Sequence, residues 1–303
     1  MVIGLIDVDG TSFPNIVLMK LSAWHKAQGN TVELLKPSDV LAGGNLFCEY
    51  DHLIGTCVFT DNMPIVEKLR EQGAIIAGIG TDDRRVLNPE IEHIMPDYSL
   101  YGISDTAYGF LSRGCPRGCP FCVVAGKEGK QSRKVADLVE WWSGQKNIVL
   151  CDPNILACDD WQDLLGQLAE SNAWVDVNQG LDARLLTRAK IAVINHLKIH
   201  MLHFAWDNPK DKMVPRALRI FREHSNIVDD RRLRVYVLTN YWSTFDEDLK
   251  RVYWLRDNGY DPYIMIYKKN SAPSNIKRLQ RWVNNKFIFK SCEKFQDYDP
   301  RRA

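Results

Sequence analysis

The sequence alternates short apolar runs with amphipathic stretches, and this alternation constrains the fold more than any other feature. In the N-terminal third, apolar runs at 2–8, 31–35, 53–60 and 74–79 are separated by segments that have apolar residues at helical spacing or polar turns. Short apolar runs bounded by turn residues are typical of buried strands, and a period near 3.6 residues is typical of helices. Strands that alternate with helices over short connections predict a small parallel sheet covered by helices.

The same alternation resumes after a polar stretch at 81–96. Apolar runs predict five more strands, at 147–151, 174–178, 199–206, 234–239 and 263–267. Helical patterns lie between them, at 161–171, 183–196, 215–224 and 245–258. Together with a strand expected before Cys115, these segments make six β–α units, which predict a barrel or partial barrel of parallel strands. Chemistry in such folds takes place on the loops that follow the carboxyl ends of the strands.

The composition predicts a protein without a membrane segment. Hydrophobic residues make up 45% of the 303-residue chain, a normal share for a soluble protein with a sizeable core. No stretch approaches the roughly 18 uncharged apolar residues of a membrane span, and the first residues resemble a strand rather than a signal peptide. We therefore expect a cytoplasmic protein whose cysteines stay reduced. The net charge of +1 means that any basic patch is local.

Three of the eight cysteines lie in one short segment, Cys115-Pro-Arg-Gly-Cys119-Pro-Phe-Cys122. The prolines and the glycine between them keep the segment out of helix and strand, so the three thiols share one tight loop. Thiolates are the usual ligands of iron–sulfur clusters, whereas a closed structural zinc site needs a fourth ligand. The next cysteine is Cys151, and no histidine lies between. We therefore expect a four-iron cluster with one open iron; a zinc site completed by a distant ligand, or merely clustered thiols, are the alternatives.

The pattern Cys-x₃-Cys-x₂-Cys with an aromatic residue, Phe121, before the last cysteine resembles the motif of the radical S-adenosylmethionine superfamily. The β–α units that follow the loop are similar to the partial (β/α)₆ barrel of that family. A Rossmann-like domain before such a barrel resembles the cobalamin-binding-type architecture. The resemblance implies an α/β protein with an N-terminal Rossmann-like parallel sheet at 1–97, a partial barrel at 98–270 and a basic C-terminal segment, 271–303, packed on the barrel.

The resemblance also implies a chemistry. Cys115, Cys119 and Cys122 would bind a 4Fe-4S cluster, and S-adenosylmethionine would bind its open iron through the amino and carboxylate groups. One electron, from a donor such as flavodoxin or ferredoxin, would cleave the sulfonium, and the 5′-deoxyadenosyl radical would take a hydrogen atom from a small-molecule, peptide or nucleotide substrate. A non-catalytic iron–sulfur binding or redox-sensing protein is the alternative function.

Cobalamin is not expected in the N-terminal domain. The cobalamin motif of such domains reads Asp-x-His-x-x-Gly, and this chain has Asp51-His52-Leu53-Ile54-Gly55. The aspartate stands one residue too late, and the segment opens a predicted strand instead of following the first one. We therefore expect the fold of such a domain without its cofactor.

Polar residues at the predicted strand ends are the expected cofactor contacts. Asp152 and Asn154 follow one strand, and Asp152 would accept from the methionyl ammonium or else close a turn. Gln179 and Arg184 follow the next strand; Gln179 would reach the ribose or the substrate. Arg184 would pair with the methionyl carboxylate or form an ordinary salt bridge. Asn240 follows the fifth strand, in the region that resembles the family's adenine-binding loop. Phe121 completes the predicted cofactor-binding set.

Two further sets of residues are candidates for substrate contact. His203, Trp206 and Asp207 lie at the end of the fourth predicted strand. Residues 268–303 hold ten Lys or Arg and three Asp or Glu, with aromatic residues between them. This pattern fits a nucleic-acid-binding patch, and a solvated basic face on a packed segment is the alternative.

Overall fold

A computed structural model describes residues 1–42, 50–83 and 85–299. The chain forms two compact units, one from 1–109 with 136–146 and the other from 110–135 with 147–303. Both contain parallel strands and helices, so the predicted α/β class is confirmed. The predicted domain bounds stay a prediction. In the described ranges, no helix has both the length and the apolar character that crossing a membrane requires.

The first unit is built on a four-stranded parallel sheet in the order β2-β1-β3-β4. Its elements in chain order are β1 (Val2–Asp7), α1 (Ile16–Ala27), β2 (Thr31–Leu35), α2 (Pro37–Leu41), β3 (His52–Thr56), α3 (Met63–Glu71), β4 (Ile75–Ala77), α4 (Pro89–Glu92) and β5 (Thr106–Gly109). The third and fourth strands are shorter than the apolar runs that predicted them. The predicted order of strands and helices is otherwise confirmed for this unit.

Alternation of side chains along β1 explains why this sheet is covered on both faces. Leu5 packs into a cluster with Leu18 of α1, whereas its neighbour Ile6 packs into a separate cluster with Val66 of α3. Successive residues of a strand point to opposite faces, so one apolar run supplies both layers. Asn15 starts α1 at the right place, because its side chain accepts from the backbone N–H groups of the first turn.

The loop after β1 is tied down by Asp9. Its carboxylate accepts from the backbone nitrogens of Val58 and Phe59, at 2.6 and 3.2 Å, and from the side-chain amide of Asn62 at 2.8 Å. Ligands of open parallel sheets bind at the carboxyl ends of the strands, where the strand order reverses. His52 lies at the opposite, amino end of the strands, because it is the first residue of β3 and pairs with Ile3 near the start of β1.

The second unit contains five adjacent parallel strands in chain order, β8 to β12. A short antiparallel pair, β6 with β7, flanks the cysteine loop. The elements are β6 (Ser112–Arg113), α5 (Val124–Lys127), β7 (Arg133–Lys134), β8 (Asn147–Leu150), α6 (Trp161–Glu170), β9 (Trp174–Leu181), α7 (Arg188–Ile194), β10 (Lys198–Ala205), α8 (Met213–His224), β11 (Leu233–Thr239), α9 (Phe245–Asp257), β12 (Asp261–Ile266), α10 (Ser274–Asn284) and α11 (Lys286–Ser291).

The two faces of this five-stranded array differ in character. Phe204 of β10 is fully buried and meets Phe221 of α8 edge-on, with ring centroids 5.0 Å apart. Its neighbour His203 points to the other face, which carries polar and aromatic side chains. One face is therefore the helix-covered core, and the other is available for chemistry.

Most aromatic residues of the basic C-terminal segment belong to the core. Trp282 is completely buried, and its ring meets those of Phe289 and Phe295 at centroid distances of 4.8 and 5.6 Å. Tyr298 is also buried, whereas Phe287 is 89% exposed. The aromatic residues that recur between the basic ones therefore mostly lie on the face of the segment that packs into the core.

Candidate functional site

A backbone hydrogen bond and a close backbone approach anchor the start of the cysteine loop to its neighbours. Cys115 and Cys119 are half-buried and Cys122 is exposed. The backbone N–H of Cys115 donates to the carbonyl of Gly129 at 3.1 Å. Gly114, at φ +90°, precedes the first cysteine, and a β-carbon there would lie 2.1 Å from the carbonyl oxygen of Gln131. Only glycine can therefore bring the chain this close to the hairpin that supports the loop.

Asp152 fixes the strand that leads into the loop. Its side chain accepts from the backbone nitrogens of Leu111 and Ser112, at 2.7 and 2.6 Å, and from the Ser112 hydroxyl at 2.6 Å. The residue is 1% exposed, and this burial raises its pKa to about 7 although the hydrogen bonds oppose the shift. Both oxygens of Asp152 are used inside the protein, which favours its structural interpretation over contact with a methionyl ammonium.

Asn154 lies directly against the first cysteine. Its amide nitrogen is 3.6 Å from the Sγ of Cys115, and the residue is 2% exposed. Within the described ranges its amide oxygen has no hydrogen-bond partner despite being buried. The structure therefore places Asn154, a predicted cofactor residue, in contact with the first predicted cluster ligand.

Asp182 connects the cysteine loop to the end of β9. One of its oxygens lies 3.5 Å from the Nε of Arg117 in the loop, and the other accepts from the Nε of Arg184 at 2.6 Å. Arg184 also pairs with Asp211 at 3.1 Å. Although partial burial opposes the charged form, these two carboxylates raise the pKa of Arg184. The ordinary salt bridge named as its alternative is thus present.

Asp207 brings a second carboxylate to the loop. Burial raises the pKa of Cys119, and the negative charge of Asp207 raises it further. Burial also raises the pKa of Asp207 itself to about 6. Arg251 of α9 holds this corner in place, since its guanidinium donates to the carbonyls of Asp207 and Leu238 at 3.0 and 2.8 Å.

Aromatic rings form a wall beside the loop. The ring of Phe121 meets those of Tyr241 and Trp242 edge-on, both at 5.5 Å. Asn240 has φ +61°, and its side chain donates to the carbonyl of Tyr267 at 2.8 Å. Phe121 and Asn240 are therefore brought to one neighbourhood through Tyr241, and the amide of Asn240 supports the turn that carries the rings.

Gln179 differs from its predicted setting. The sequence places it in a loop after a strand that ends at 178, whereas β9 continues to Leu181 and keeps Gln179 as an exposed strand residue. The pairing with β10 has a bulge here, since Val177 and Leu181 of β9 pair with Leu202 and Phe204 of β10, and Gly180 in this bulge has a φ of +97° that only glycine adopts easily. The glycine favours a loop when only the sequence is considered. In the structure, the pairing of Leu181 with Phe204 keeps these residues in the strand.

The donor set suits an iron–sulfur cluster. Thiolates are its usual ligands, and hydrogen bonds to their sulfur atoms tune it; the Asn154 amide supplies such a donor to Cys115. Within the residues that the structure describes, no three His, Cys, Asp or Glu side chains are gathered around one position suited to a single metal ion. In a four-iron cluster each thiolate binds a different iron, so its ligands need not gather around one position. The fit of the site to such a cluster therefore rests on the three thiols of one accessible loop and the Asn154 amide beside them.

A pocket of about 370 Å³ opens on the face of β9 to β12 opposite the helices. The lining residues come from alternate positions of the four strands: Asp176, Asn178, Met201, His203, Arg234, Tyr236, Tyr263 and Met265. Sequence reasoning singled out His203 and missed the others. The sequence signal that could have found them is a period of two residues, because polar or amphipathic residues recur at every second position of four neighbouring strands.

Comparison with known proteins assigns no family to the chain. No known family model matches it, and no curated protein matches it significantly. The function is therefore argued from the geometry of the site.

Proposed function

We propose that this protein is a radical S-adenosylmethionine enzyme that holds a 4Fe-4S cluster on Cys115, Cys119 and Cys122. The observation that carries the proposal is the cysteine loop itself, with three accessible or half-buried thiols and the Asn154 amide against the first sulfur. Asp182, the residue after β9, lies 3.5 Å from the Nε of Arg117, so the loop lies beside the carboxyl end of that strand.

We also infer that β8 to β12 belong to a partial (β/α)₆ barrel and that the first unit is Rossmann-like. The support is the parallel strands in chain order with a helix after each of β8 to β11. Asp182 and Asn240 directly follow β9 and β11, and Asp207 is the second residue after β10, which is where barrel enzymes carry their functional groups. For the first unit the support is the strand order 2-1-3-4, the start of a common doubly wound arrangement.

When bound, the cluster and S-adenosylmethionine supply one-electron cleavage of the sulfonium and removal of a hydrogen atom from the substrate. The protein's own residues bind and orient. Asn154 donates to the Cys115 sulfur and so reduces its negative charge. The rings of Phe121, Tyr241 and Trp242 exclude water from one side of the loop.

Arg184 has a conditional role in this proposal. It pairs with Asp182 through Nε and with Asp211 through Nη1, so a ligand carboxylate would bind through Nη2, and a bidentate pair would also need Nη1 to give up its contact to Asp211 at 3.1 Å. Its remaining pair with Asp182 would hold the guanidinium in place during that exchange. Cytoplasmic location, an electron donor such as flavodoxin or ferredoxin, and nucleic-acid contact through residues 271–303 stay predictions, as does the expected lack of cobalamin.

Anaerobic reconstitution followed by product analysis tests the proposal. Protein reconstituted with iron and sulfide, then given dithionite and S-adenosylmethionine, should form 5′-deoxyadenosine and methionine. Cys122→Ala should abolish both products, because the motif offers no replacement ligand. Cys292→Ala is the matched control, a half-buried cysteine in the segment after α11, and should keep full activity.

Three results would count against the enzyme. Zinc without iron in anaerobically purified protein would favour a structural zinc site. A cluster that assembles but yields no 5′-deoxyadenosine, with or without a substrate mixture, would favour a non-catalytic iron–sulfur or redox-sensing protein. Full product formation by Cys122→Ala would remove the cysteine loop from the chemistry.

A further inference from the structure

We propose that the pocket on β9 to β12 binds a small molecule with a flat apolar body and a protonated nitrogen, and that Asp176 is the anionic partner of that nitrogen. That this ligand is the enzyme's substrate rests on the proposed function; that the pocket binds it does not.

The charges around the pocket leave Asp176 without a permanent cation. Arg234, the one cationic residue that lines the pocket, directs both Nε and Nη2 to Asp261, each at 2.9 Å. Lys286 also pairs with Asp261, at 2.5 Å. The Oδ1 of Asp176 lies 3.3 Å from the Nδ1 of His203, and this buried oxygen accepts no hydrogen bond from any described residue.

The electrostatic influence of Asp176 reaches the other lining residues. Burial, together with the negative charge of Asp176, raises the pKa of Tyr236 to about 12, and the opposing effect of the positive charge of Arg234 is smaller than that of Asp176. At the Tyr236 hydroxyl, the negative charge of Asp176 therefore has a larger electrostatic effect than the positive charge of Arg234. A ligand that brings a positive charge into this space gains Coulomb energy that a neutral ligand does not.

His203 supplies a second acceptor of fixed direction. Its Nδ1 lies 2.9 Å from the carbonyl oxygen of Val177. A carbonyl only accepts, so Nδ1 carries the proton and Nε2 of the neutral ring is left as an acceptor. The ring is stacked on Tyr236 at 5.0 Å with an interplanar angle of 16°, and the Tyr236 hydroxyl donates to the carbonyl of Asn178 at 2.9 Å. These contacts hold the acceptor in place before a ligand arrives.

The remaining walls suit an apolar body. Tyr236 and Tyr263 meet edge-on at 5.9 Å, and Met201 and Met265 supply polarizable thioethers. Tyrosine faces also attract cations. A volume of about 370 Å³ is in the range of small-molecule sites.

The pocket is connected to the cysteine loop through two of its strands. β9 carries Asp176 and ends at Leu181, and the next residue, Asp182, lies beside Arg117 of the loop. β10 runs from Met201 and His203 to the segment with Asp207, whose charge acts on Cys119. A ligand on these strands lies on the array whose carboxyl ends carry the proposed radical chemistry.

Binding of a matched pair of probes tests the proposal. The probes are 2-phenylethylamine, which is protonated at neutral pH, and 2-phenylethanol, its uncharged counterpart of similar size. Calorimetry on the full-length protein, without reductant or S-adenosylmethionine, should show that the amine binds at least tenfold more tightly, about 1.4 kcal/mol. Asp176→Asn should remove that preference and leave binding of the alcohol unchanged. Asp257→Asn, at the exposed end of α9, is the control and should keep the preference.

Equal affinity for the two probes, an undiminished preference in Asp176→Asn, or no binding of either probe at millimolar concentration would overturn the proposal. If Asp176→Asn does not fold, the comparison of the two probes on the unsubstituted protein decides alone. Formation of 5′-deoxyadenosine is measured separately, so a protein that cleaves S-adenosylmethionine but binds neither probe refutes this inference and leaves the proposed function standing.

Discussion

Asp152 and Arg184 illustrate what the sequence could and could not establish about single residues. Each was singled out correctly as a polar group near a strand end, with a ligand contact and a structural role as alternatives. The structure pairs Asp152 with Leu111 and Ser112, about 40 positions away in sequence, and Arg184 with Asp211. Local spacing does not determine partners at such separations. The cysteine motif needed no such partner to be recognised, since all three predicted ligands lie within eight residues.

Replacing Asp152 should change how stability depends on pH. Its pKa is about 7 in the folded protein against an ordinary value of 3.8. Between those values the folded state binds more protons than the unfolded state, so this group lowers the free energy of unfolding as pH rises from about 4 to about 7. Asp152→Asn removes that titration. The stability advantage of the wild type over the variant should therefore shrink across this range, by up to about 1.4 kcal/mol per pH unit.

Urea unfolding of both proteins at several pH values measures this difference. The subtraction cancels the contribution of other groups such as Asp207, which titrates in the same direction. A stability difference that stays constant or grows between pH 4 and pH 7 would contradict the account of Asp152.

Removing the amide of Asn154 should lower the reduction potential of the cluster. The N–H group near the Cys115 sulfur stabilises the more negative, reduced state, so Asn154→Ala should shift the midpoint potential downward by tens of millivolts, where about 59 mV is tenfold for one electron. A redox titration followed by EPR measures the shift. The exposed Asn270 provides the control, and an unchanged or higher potential in Asn154→Ala would show that the contact has no electronic role.

At the scale of elements, the apolar periodicity located most strands and helices but not their ends. The predicted helix at 183–196 is divided into a short 3₁₀ turn, Ala183–Leu185, and α7. The reason is local: Asp182 caps the turn, and Thr187 caps α7 by accepting from the N–H of Lys190. Thr187 was a readable signal. The length of β9 was not, because it depends on pairing with β10.

Arg251 of α9 should be essential for the corner between β10 and β11. It is 2% exposed, pairs with Asp248 at 2.5 Å and donates to the carbonyls of Asp207 and Leu238. Arg251→Met leaves a buried carboxyl and several carbonyls without a partner, and should lower the free energy of unfolding by about 3–5 kcal/mol.

Chemical denaturation of Arg251→Met and of Lys250→Met, an exposed neighbour on the same helix, provides the comparison. The control should change by no more than about 0.5 kcal/mol. Equal stability of the two variants would mean that the Arg251 network contributes nothing to this corner.

At the scale of the whole molecule, the alternation of strands and helices predicted the α/β class, which the parallel sheets confirm. The character of the C-terminal segment was harder to predict, because basic residues between aromatic ones fit both a nucleic-acid surface and an amphipathic packed segment. Burial of Trp282 and Phe295 shows that these rings pack inside the second unit. Only the position of each ring relative to the sheet distinguishes the two possibilities, and that depends on tertiary packing.

Two aromatic residues of this segment should respond differently to truncation of their side chains. Trp282→Ala removes a completely buried ring and should lower the free energy of unfolding by about 3–5 kcal/mol. Phe287→Ala removes a ring that is 89% exposed and should change it by no more than about 0.5 kcal/mol. Denaturant titration of both variants measures the effects, and a tolerated Trp282→Ala would contradict the packing of the segment.

The central claim is that three cysteines hold a cluster with one iron open to S-adenosylmethionine. EPR of the dithionite-reduced, reconstituted protein tests it most directly, with spectra recorded before and after S-adenosylmethionine is added. The spectra should show the signal of a reduced 4Fe-4S cluster whose g-values shift on addition, and a protein with Cys115, Cys119 and Cys122 all changed to alanine should show no such cluster. A spectrum that S-adenosylmethionine leaves unchanged, or a cluster that persists in the triple variant, would contradict it.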